Sequence, residues 1–421
     1  MLSLKIIKLL LILITVAYSQ SIYNSHGMGI MKSSFHSSSD GLGSIGLVPS
    51  FTSKVSLDNP STWRYLNFSY INSSYISQAF ELKNSQSNSI SSQFNGIQFL
   101  IPIRGKYAIG LSVKPINSHN TFFKTDTVSY QYFDDNIESF KEFKSGGGIM
   151  ASNFAISLPI NAKMNIGFAY DNFFGSSRNE KSISLNGIYY RSLNINTFKG
   201  SKYNLYFAGE IFKSNNLIIS VYSGIGKTLK PISGNSFNFQ LYEDSDRNFI
   251  PSSNDFPSDT NVDTVSLDKI YAPNDFSLAL NMDFNSSLNS FFEFQLWNDN
   301  AQNLNFISLY NDQIISKNHI GIGLIKFGTL EAKDWQDKIT MRFGMYRKNY
   351  KLSMGNKEVI ENGLSLGFGI KFSTTGNQLD FSYKNGSRSS INYFNESFNE
   401  MSLGISIGDV WFLRRRAKQW L

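Results

Sequence analysis

The stretch Leu364-Ser365-Leu366-Gly367-Phe368-Gly369-Ile370-Lys371-Phe372 decides the fold. Leu364, Leu366, Phe368, Ile370 and Phe372 recur at every second position, with Ser365, Gly367, Gly369 and Lys371 between them. Successive side chains of a strand point to opposite faces, so this period gives one apolar face and one of small or charged residues. The same pattern runs through Tyr107–Lys114, Phe276–Phe284 and Ile339–Met345, and again through Met164–Tyr170, Ile320–Leu324 and Met401–Ile407. Phe (36) and Tyr (21) are abundant and Pro (9) is scarce, which favours strands.

Alternation alone does not say what the apolar face touches, since a soluble sandwich or propeller buries such a face in its core. Three features point to lipid. The chain begins with an export signal, described below. The opposite face is mostly Gly, Ala, Ser and Asn with scattered charges, as suits a wet or plugged lumen. No charge falls on the apolar face of these strands, where a Lys or Arg costs roughly 2–4 kcal/mol at the bilayer midplane.

Fourteen strands are expected, near 63–74, 91–101, 106–115, 146–160, 163–173, 200–212, 216–228, 274–284, 288–298, 315–327, 338–347, 361–372, 377–386 and 398–408. Short connections at 102–105, 160–162, 214–215, 285–287 and 373–376, with a medium one at 328–337, alternate with long ones at 75–90, 116–145, 174–199, 229–273, 299–314, 348–360 and 387–397. An even count with short turns at one end and long loops at the other is the pattern of a bacterial outer-membrane barrel. The fold expected is therefore all-β, a transmembrane antiparallel β-barrel of about fourteen strands, with both termini in the periplasm. Tyr65, Tyr70, Tyr170, Phe173, Phe174, Tyr346, Tyr350 and Trp411 lie near strand ends, where aromatic girdles belong.

Residues 1–19 read as a signal peptide: Lys5 and Lys8, a short apolar core from Leu9 to Ala17, then Ala17-Tyr18-Ser19 before cleavage at Gln20. About nine apolar residues are too few for a spanning helix, which needs roughly twenty. Residues 20–62 are dense in Ser and Gly and form an N-terminal hatch or plug, 63–412 the barrel, and 413–421 a basic periplasmic tail. The formal charge of +7 misleads. Without Lys5, Lys8, Arg414, Arg415, Arg416 and Lys418 it is +1, so no nucleic-acid surface is expected. The absence of cysteine excludes a disulfide framework, a thiol nucleophile and a lipoprotein anchor.

The segments Ser37-Ser38-Ser39-Asp40-Gly41-Leu42-Gly43 and Val55-Ser56-Leu57-Asp58-Asn59-Pro60-Ser61 resemble the N-terminal hatch of FadL-type long-chain fatty-acid transporters. That family carries Asn-Pro-Ala just before strand one. Asn59-Pro60-Ser61 stands there, with Ser61 in place of Ala, and Gly41 and Gly43 complete the hatch motif. The ending Trp411-Phe412-Leu413-Arg414-Arg415 is similar to relatives of the Bacteroidetes-like branch. The resemblance implies passive uptake of hydrophobic small molecules: outer loops collect the solute, the hatch shifts, and the solute leaves sideways into the bilayer near strand three. Pro115, which cannot donate a ladder hydrogen bond, marks either such a break or the strand's end.

Aromatic residues in the long connections are candidates for solute capture: Phe122, Phe123, Tyr130, Tyr132 and Phe133 in one, Phe237, Phe239, Phe249 and Phe256 in another. Packing of the loops over the mouth explains them equally well. Lys114, Asp283, Glu293, Arg342, Lys371, Asp380 and Lys384 face the lumen by parity, their mixed signs suiting hatch anchoring better than an ion filter. Gly404-Ile405-Ser406-Ile407-Gly408 and Gly41-Leu42-Gly43-Ser44-Ile45-Gly46 imitate nucleophile-elbow and dinucleotide motifs but lack their strand–helix setting. Asp244-Ser245-Asp246-Arg247-Asn248 begins like a calcium loop with Asp255 at its twelfth position. Phe249 stands where Gly is expected, so a solvated acidic loop is the simpler reading. His26, His36, His119 and His319 show no metal spacing. Neither a catalytic residue nor a metal or cofactor site is nominated, and no enzyme is expected. The expected partners are a hydrophobic small molecule, outer-membrane lipids and a periplasmic or secretion partner. The alternatives to a transporter are the barrel scaffold of a protein-secretion system and a general porin, all three in the outer membrane of a Gram-negative cell.

Overall fold

The computed structural model describes residues 21–410 apart from 84–86, 104–106, 133–134, 259–261, 285–287, 301–311, 330–333, 354–356, 373–375 and 392–393. The signal segment, the basic tail, Trp411 and several short turns expected from the sequence lie outside the described residues.

Every strand joins one antiparallel sheet: β1 (Ser69–Leu82), β2 (Ser87–Ile103), β3 (Tyr107–Pro115), β4 (Thr121–Lys124), β5 (Val128–Tyr132), β6 (Asp135–Pro159), β7 (Met164–Leu185), β8 (Ile188–Lys213), β9 (Ile218–Glu243), β10 (Val262–Tyr271), β11 (Pro273–Phe284), β12 (Leu288–Asp299), β13 (Ile314–Lys326), β14 (Ile339–Leu352), β15 (Glu358–Lys371), β16 (Gln378–Ser389) and β17 (Glu396–Asp409). Ser69 of β1 pairs with Asp409 of β17, which closes the sheet on itself. β4 and β5 continue along β6 where β3 leaves it, and β10 lies along the outer part of β9. The wall is thus a closed barrel of fourteen strands. Closure removes the sheet edges, the condition for a β-structure to cross lipid.

The deciding stretch sits as its period requires. Leu364, Leu366, Phe368 and Ile370 are exposed on the outer face, while Ser365 is 1% exposed inside. Exposed Ile71, Leu111, Phe168, Phe276, Ile322, Phe343, Leu379 and Ile405 continue an apolar outer surface around the wall. Such a surface in water is an aggregation hazard, whereas in lipid it is the solvent-matched face.

Four strands are much longer than expected. β6 has 25 residues, β7 22, and β8 and β9 26 each. A span needs about 9–11. At ~3.3 Å per residue the longest run to roughly 85 Å and project beyond the mouth opposite the barrel's termini. The expected long loop 174–199 is mostly the two arms of this β7–β8 hairpin, turning at Asn186 and Gly187. Beyond the bilayer both faces meet water, so the apolar period that reveals a strand fades. In its place Ser177, Asn194, Asn196, Ser236 and Asn238 form a polar ladder.

Not all of the expected girdle lies on the outer face. Tyr70, Phe173, Tyr346 and Tyr350 are buried on the inner side. Being near a strand end does not set parity, and Tyr346 follows outward-facing Met345. Tyr170 is half-buried and Phe174 exposed.

Leu366→Arg, in the middle of the outer stripe, is expected to lower stability by about 2–4 kcal/mol in lipid vesicles. A urea midpoint unchanged from wild type would show that this face does not meet lipid.

Candidate functional site

Residues 21–66 thread the lumen. They begin at the far mouth with a 3₁₀ turn (Ile22–Ser25), pass a four-residue helix (Ser37–Asp40) and end in a second 3₁₀ turn (Pro60–Tyr65) just ahead of β1. Three apolar clusters pack them against the wall. Ile22, Tyr23 and Met28 meet Phe198, Ile232 and Tyr271. Leu42, Ile45 and Val48 meet Ala279, Phe291 and Ile325. Phe51, Leu57 and Trp63 meet Leu100, Ala108 and Ala169.

Small wall residues make the fit possible. A Cβ on Gly167 would stand 2.6 Å from Ser61 N, one on Gly110 2.3 Å from the Trp63 ring, and one on Gly344 2.5 Å from Leu42. Gly41 lies backbone to backbone on Gly367, and Gly43 holds φ +80° against Tyr346. Asn59 caps the second turn. Its Oδ1 accepts from Ser61 N at 3.1 Å and Ser61 Oγ at 2.7 Å, and its Nδ2 donates to Leu47 O at 2.8 Å. The Ser in place of Ala thus adds a bond to the cap.

Inward charges complete the anchoring. Glu293 accepts from Gly46 N at 3.2 Å and Leu47 N at 3.1 Å. Arg342 pairs with Asp380 at 2.8 Å and donates from Nε to Ser50 O at 2.9 Å. Lys384 pairs with Glu400 and donates to Ser44 Oγ. Nearer the far mouth, Arg388 joins Glu361 at 2.6 Å and Glu396, which accepts from Ser21 Oγ, while Lys348 supports Glu361 at 3.2 Å. Within the segment, burial pushes the Lys32 ammonium down to about 8 against the pull of Glu400 and Asp40. Burial likewise lifts the Asp40 carboxyl to about 6, opposed by Lys384.

The wall breaks beside this segment. β2 pairs with β3 only from Ile97↔Val113 to Ile103↔Tyr107, so its outer part, Ser87–Gly96, is paired with β1 alone among the described residues. The cause is local. Asn95 is an extra residue in a bulge, Gly96 follows at φ +127°, and Pro115 has no N–H to offer. After Pro115 the chain turns inward. Ile116 O accepts from Lys32 N at 3.0 Å, and Asn117 reaches Met28 O. Lys32 Nζ donates to Asn95 Oδ1 at 2.5 Å, and Asn95 Nδ2 donates to Phe35 O at 3.1 Å. Residues 32–35 therefore back the break from inside, while Ile90, Phe94 and Ile97 flank it outside, exposed.

Behind the break lies a cavity of about 170 Å³. Phe35, Phe173, Tyr206 and Trp297 give it aromatic walls, and Lys32, Lys114, Lys202 and Lys317 bring ammonium groups. Asp275 neutralises Lys202, and Asp171 lies 3.9 Å from Lys114. The space is large enough for several waters. That is below the ~300–1,000 Å³ of sites for drug-sized ligands.

The loop aromatics do not converge there. Phe122 and Phe123 lie on β4, Tyr130 and Tyr132 on β5, and Phe237 and Phe239 on β9 opposite the polar ladder. Phe133 lies outside the described residues. The sequence did not bring these aromatics together, because Phe173, Tyr206 and Trp297 share only an inward side on separate strands and Phe35 lies in the luminal segment.

Solved structures similar to this one share the closed barrel. A Pseudomonas aeruginosa FadL homologue covers 90% of this chain and 98% of its own at 10% identity, with TM-score 0.55. The Ralstonia pickettii toluene transporter TbuX covers 90% and 99% at 12% and 0.51. The P. putida toluene transporter TodX covers 91% and 100% at 9% and 0.51. The search of curated proteins gives no match. The fold is therefore a closed β-barrel of the FadL type. Within that architecture the chain belongs to the BamG family, whose sequence profile matches residues 1–418.

Arg388→Ala leaves Glu396 buried without its cation, and such a loss costs about 3–5 kcal/mol. The expected result is a lower thermal midpoint and faster tryptic cleavage after Lys32, and an unchanged cleavage rate would mean that this network does not hold the segment.

Proposed function

We propose that the chain passes hydrophobic small molecules through the outer membrane of a Gram-negative cell. Residues 20–62 serve as a hatch that gates the wall break, after removal of residues 1–19 as a signal peptide. The observation that carries this reading is the outer part of β2, which among the described residues is paired on its β1 side only and is backed by Lys32 and Phe35. An apolar solute leaving through it enters the bilayer without crossing the periplasm.

The cavity favours a compact solute with a polar group. A long acyl chain needs the hatch to move first, and the contacts closing the break are a few hydrogen bonds, each worth about 0.5–1.5 kcal/mol net.

A second reading, a closed barrel that scaffolds protein partners, rests on the ion-paired anchoring of the same segment, with the tail at 413–421 reaching the periplasmic partner. The two are separable. The chain has no cysteine, so a Lys32→Cys/Asn95→Cys pair can be bridged by a reducible bis-maleimide. The transporter reading expects uptake of labelled toluene or oleate, in cells lacking their own carrier, to fall to background when bridged and to recover on reduction. Uptake at background in the wild type, with protein partners co-purifying, would establish the scaffold instead.

A further inference from the structure

The β9 crown carries a feature unrelated to the lumen. Glu243 and Phe256 form an isolated antiparallel bridge, which closes residues 244–255 into a twelve-residue loop. We infer that this loop is a calcium site, with Asp244, Asp246, Asn248, the Ile250 carbonyl, Ser252 and Asp255 as its oxygen ligands. Their positions are first, third, fifth, seventh, ninth and twelfth, the ligand spacing of a twelve-residue calcium loop.

The structure adds what the spacing alone lacks. One carboxylate oxygen from each of Asp244, Asp246 and Asp255 lies within 4.8 Å of the others. Ser252 Oγ lies between Asp246 Oδ2 at 3.3 Å and Asp255 Oδ2 at 3.1 Å, and Asn248 Nδ2 donates to Asp246 Oδ2 at 2.8 Å, so Asn248 and Ser252 adjoin the carboxylate cluster. An ionised carboxylate offers about four lone-pair sites. Asp255 accepts three bonds, from Ser245 N, Ser252 N and Ser252 Oγ, which leaves one site, and at Asp246 a cation would take the place of the side-chain donors Asn248, Ser252 and Asn254.

The independent sign is Asp244. Its side chain is fully buried, and Oδ2 accepts from Arg191 Nε, but Oδ1 has no partner among the described residues. Arg191 is itself shared with Glu180 at 2.5 Å, so it does not neutralise Asp244 alone. A buried carboxylate oxygen left unsatisfied is costly, and a cation at the centre of the cluster removes that cost.

Phe249 stands where such loops carry glycine. It holds φ +67°, the left-handed conformation glycine normally supplies there. Arg178 donates to its carbonyl, and the Lys144 and Arg191 cations lie over its ring at 4.7 Å and 4.2 Å. An all-oxygen set without His or Cys fits calcium rather than zinc. The ion would fasten the crown, because Asp244 N donates to Tyr189 O and Arg247 to Gly187 O across the β7–β8 turn.

The test is calorimetric titration of calcium chloride into the full chain in detergent, with magnesium chloride as comparison. One site with Kd in the ~10⁻⁴–10⁻³ M range of extracellular modules is expected, with weaker magnesium binding. Asp246→Asn, at an exposed position, is expected to weaken calcium by about tenfold or more, and Asp255→Asn likewise. Calcium is also expected to slow tryptic cleavage after Arg247. No binding at millimolar calcium, or equal affinity in a folded Asp246→Asn barrel, would overturn the assignment.

Discussion

The backbone's need for hydrogen-bond partners in a medium without water governs this molecule. In lipid each unmet N–H or C=O costs several kcal/mol, so a sheet must close. The pairing of β1 with β17 meets that demand and fixes the alternation of every wall strand. Outward positions become apolar to match the bilayer. Inward positions are left to small residues and to charges that need partners.

Those charges explain why the lumen is filled. Glu293, Arg342, Asp380, Lys384, Glu361 and Arg388 are all buried by the N-terminal segment and bonded to it or to one another. Such networks add little net stability over an apolar core, but they set one register for the segment. The glycines opposite Leu42, Ser61 and Trp63 impose the same register sterically. The break at β2–β3 is the exception to closure. At its inner edge Lys32 N donates to Ile116 O, and Lys32 Nζ and Phe35 O hold the Asn95 side chain.

Much of the candidate site was legible only in part. Pro115 signalled a missing donor, and Asn59-Pro60-Ser61 signalled a hatch ahead of strand one. The bulge at Asn95, the inward turn at Ile116 and the meeting of Lys32 with Asn95 depend on residues far apart in the chain. The loop at Asp244 shows the same division. Its ligand spacing is written in sequence and argues weakly, because Phe249 breaks the pattern. Only the fold shows Phe249 in glycine's conformation and Asp244 with an unpaired buried oxygen.

The sequence by itself determined the strand period, the even strand number and the inward face of the charges. Each follows from side-chain alternation against lipid, a local property. The tertiary structure alone decided how far β6 to β9 extend beyond the bilayer, since water on both faces erases the apolar period. It also decided which aromatics share a cavity and where the wall opens, because register between strands is a long-range matter.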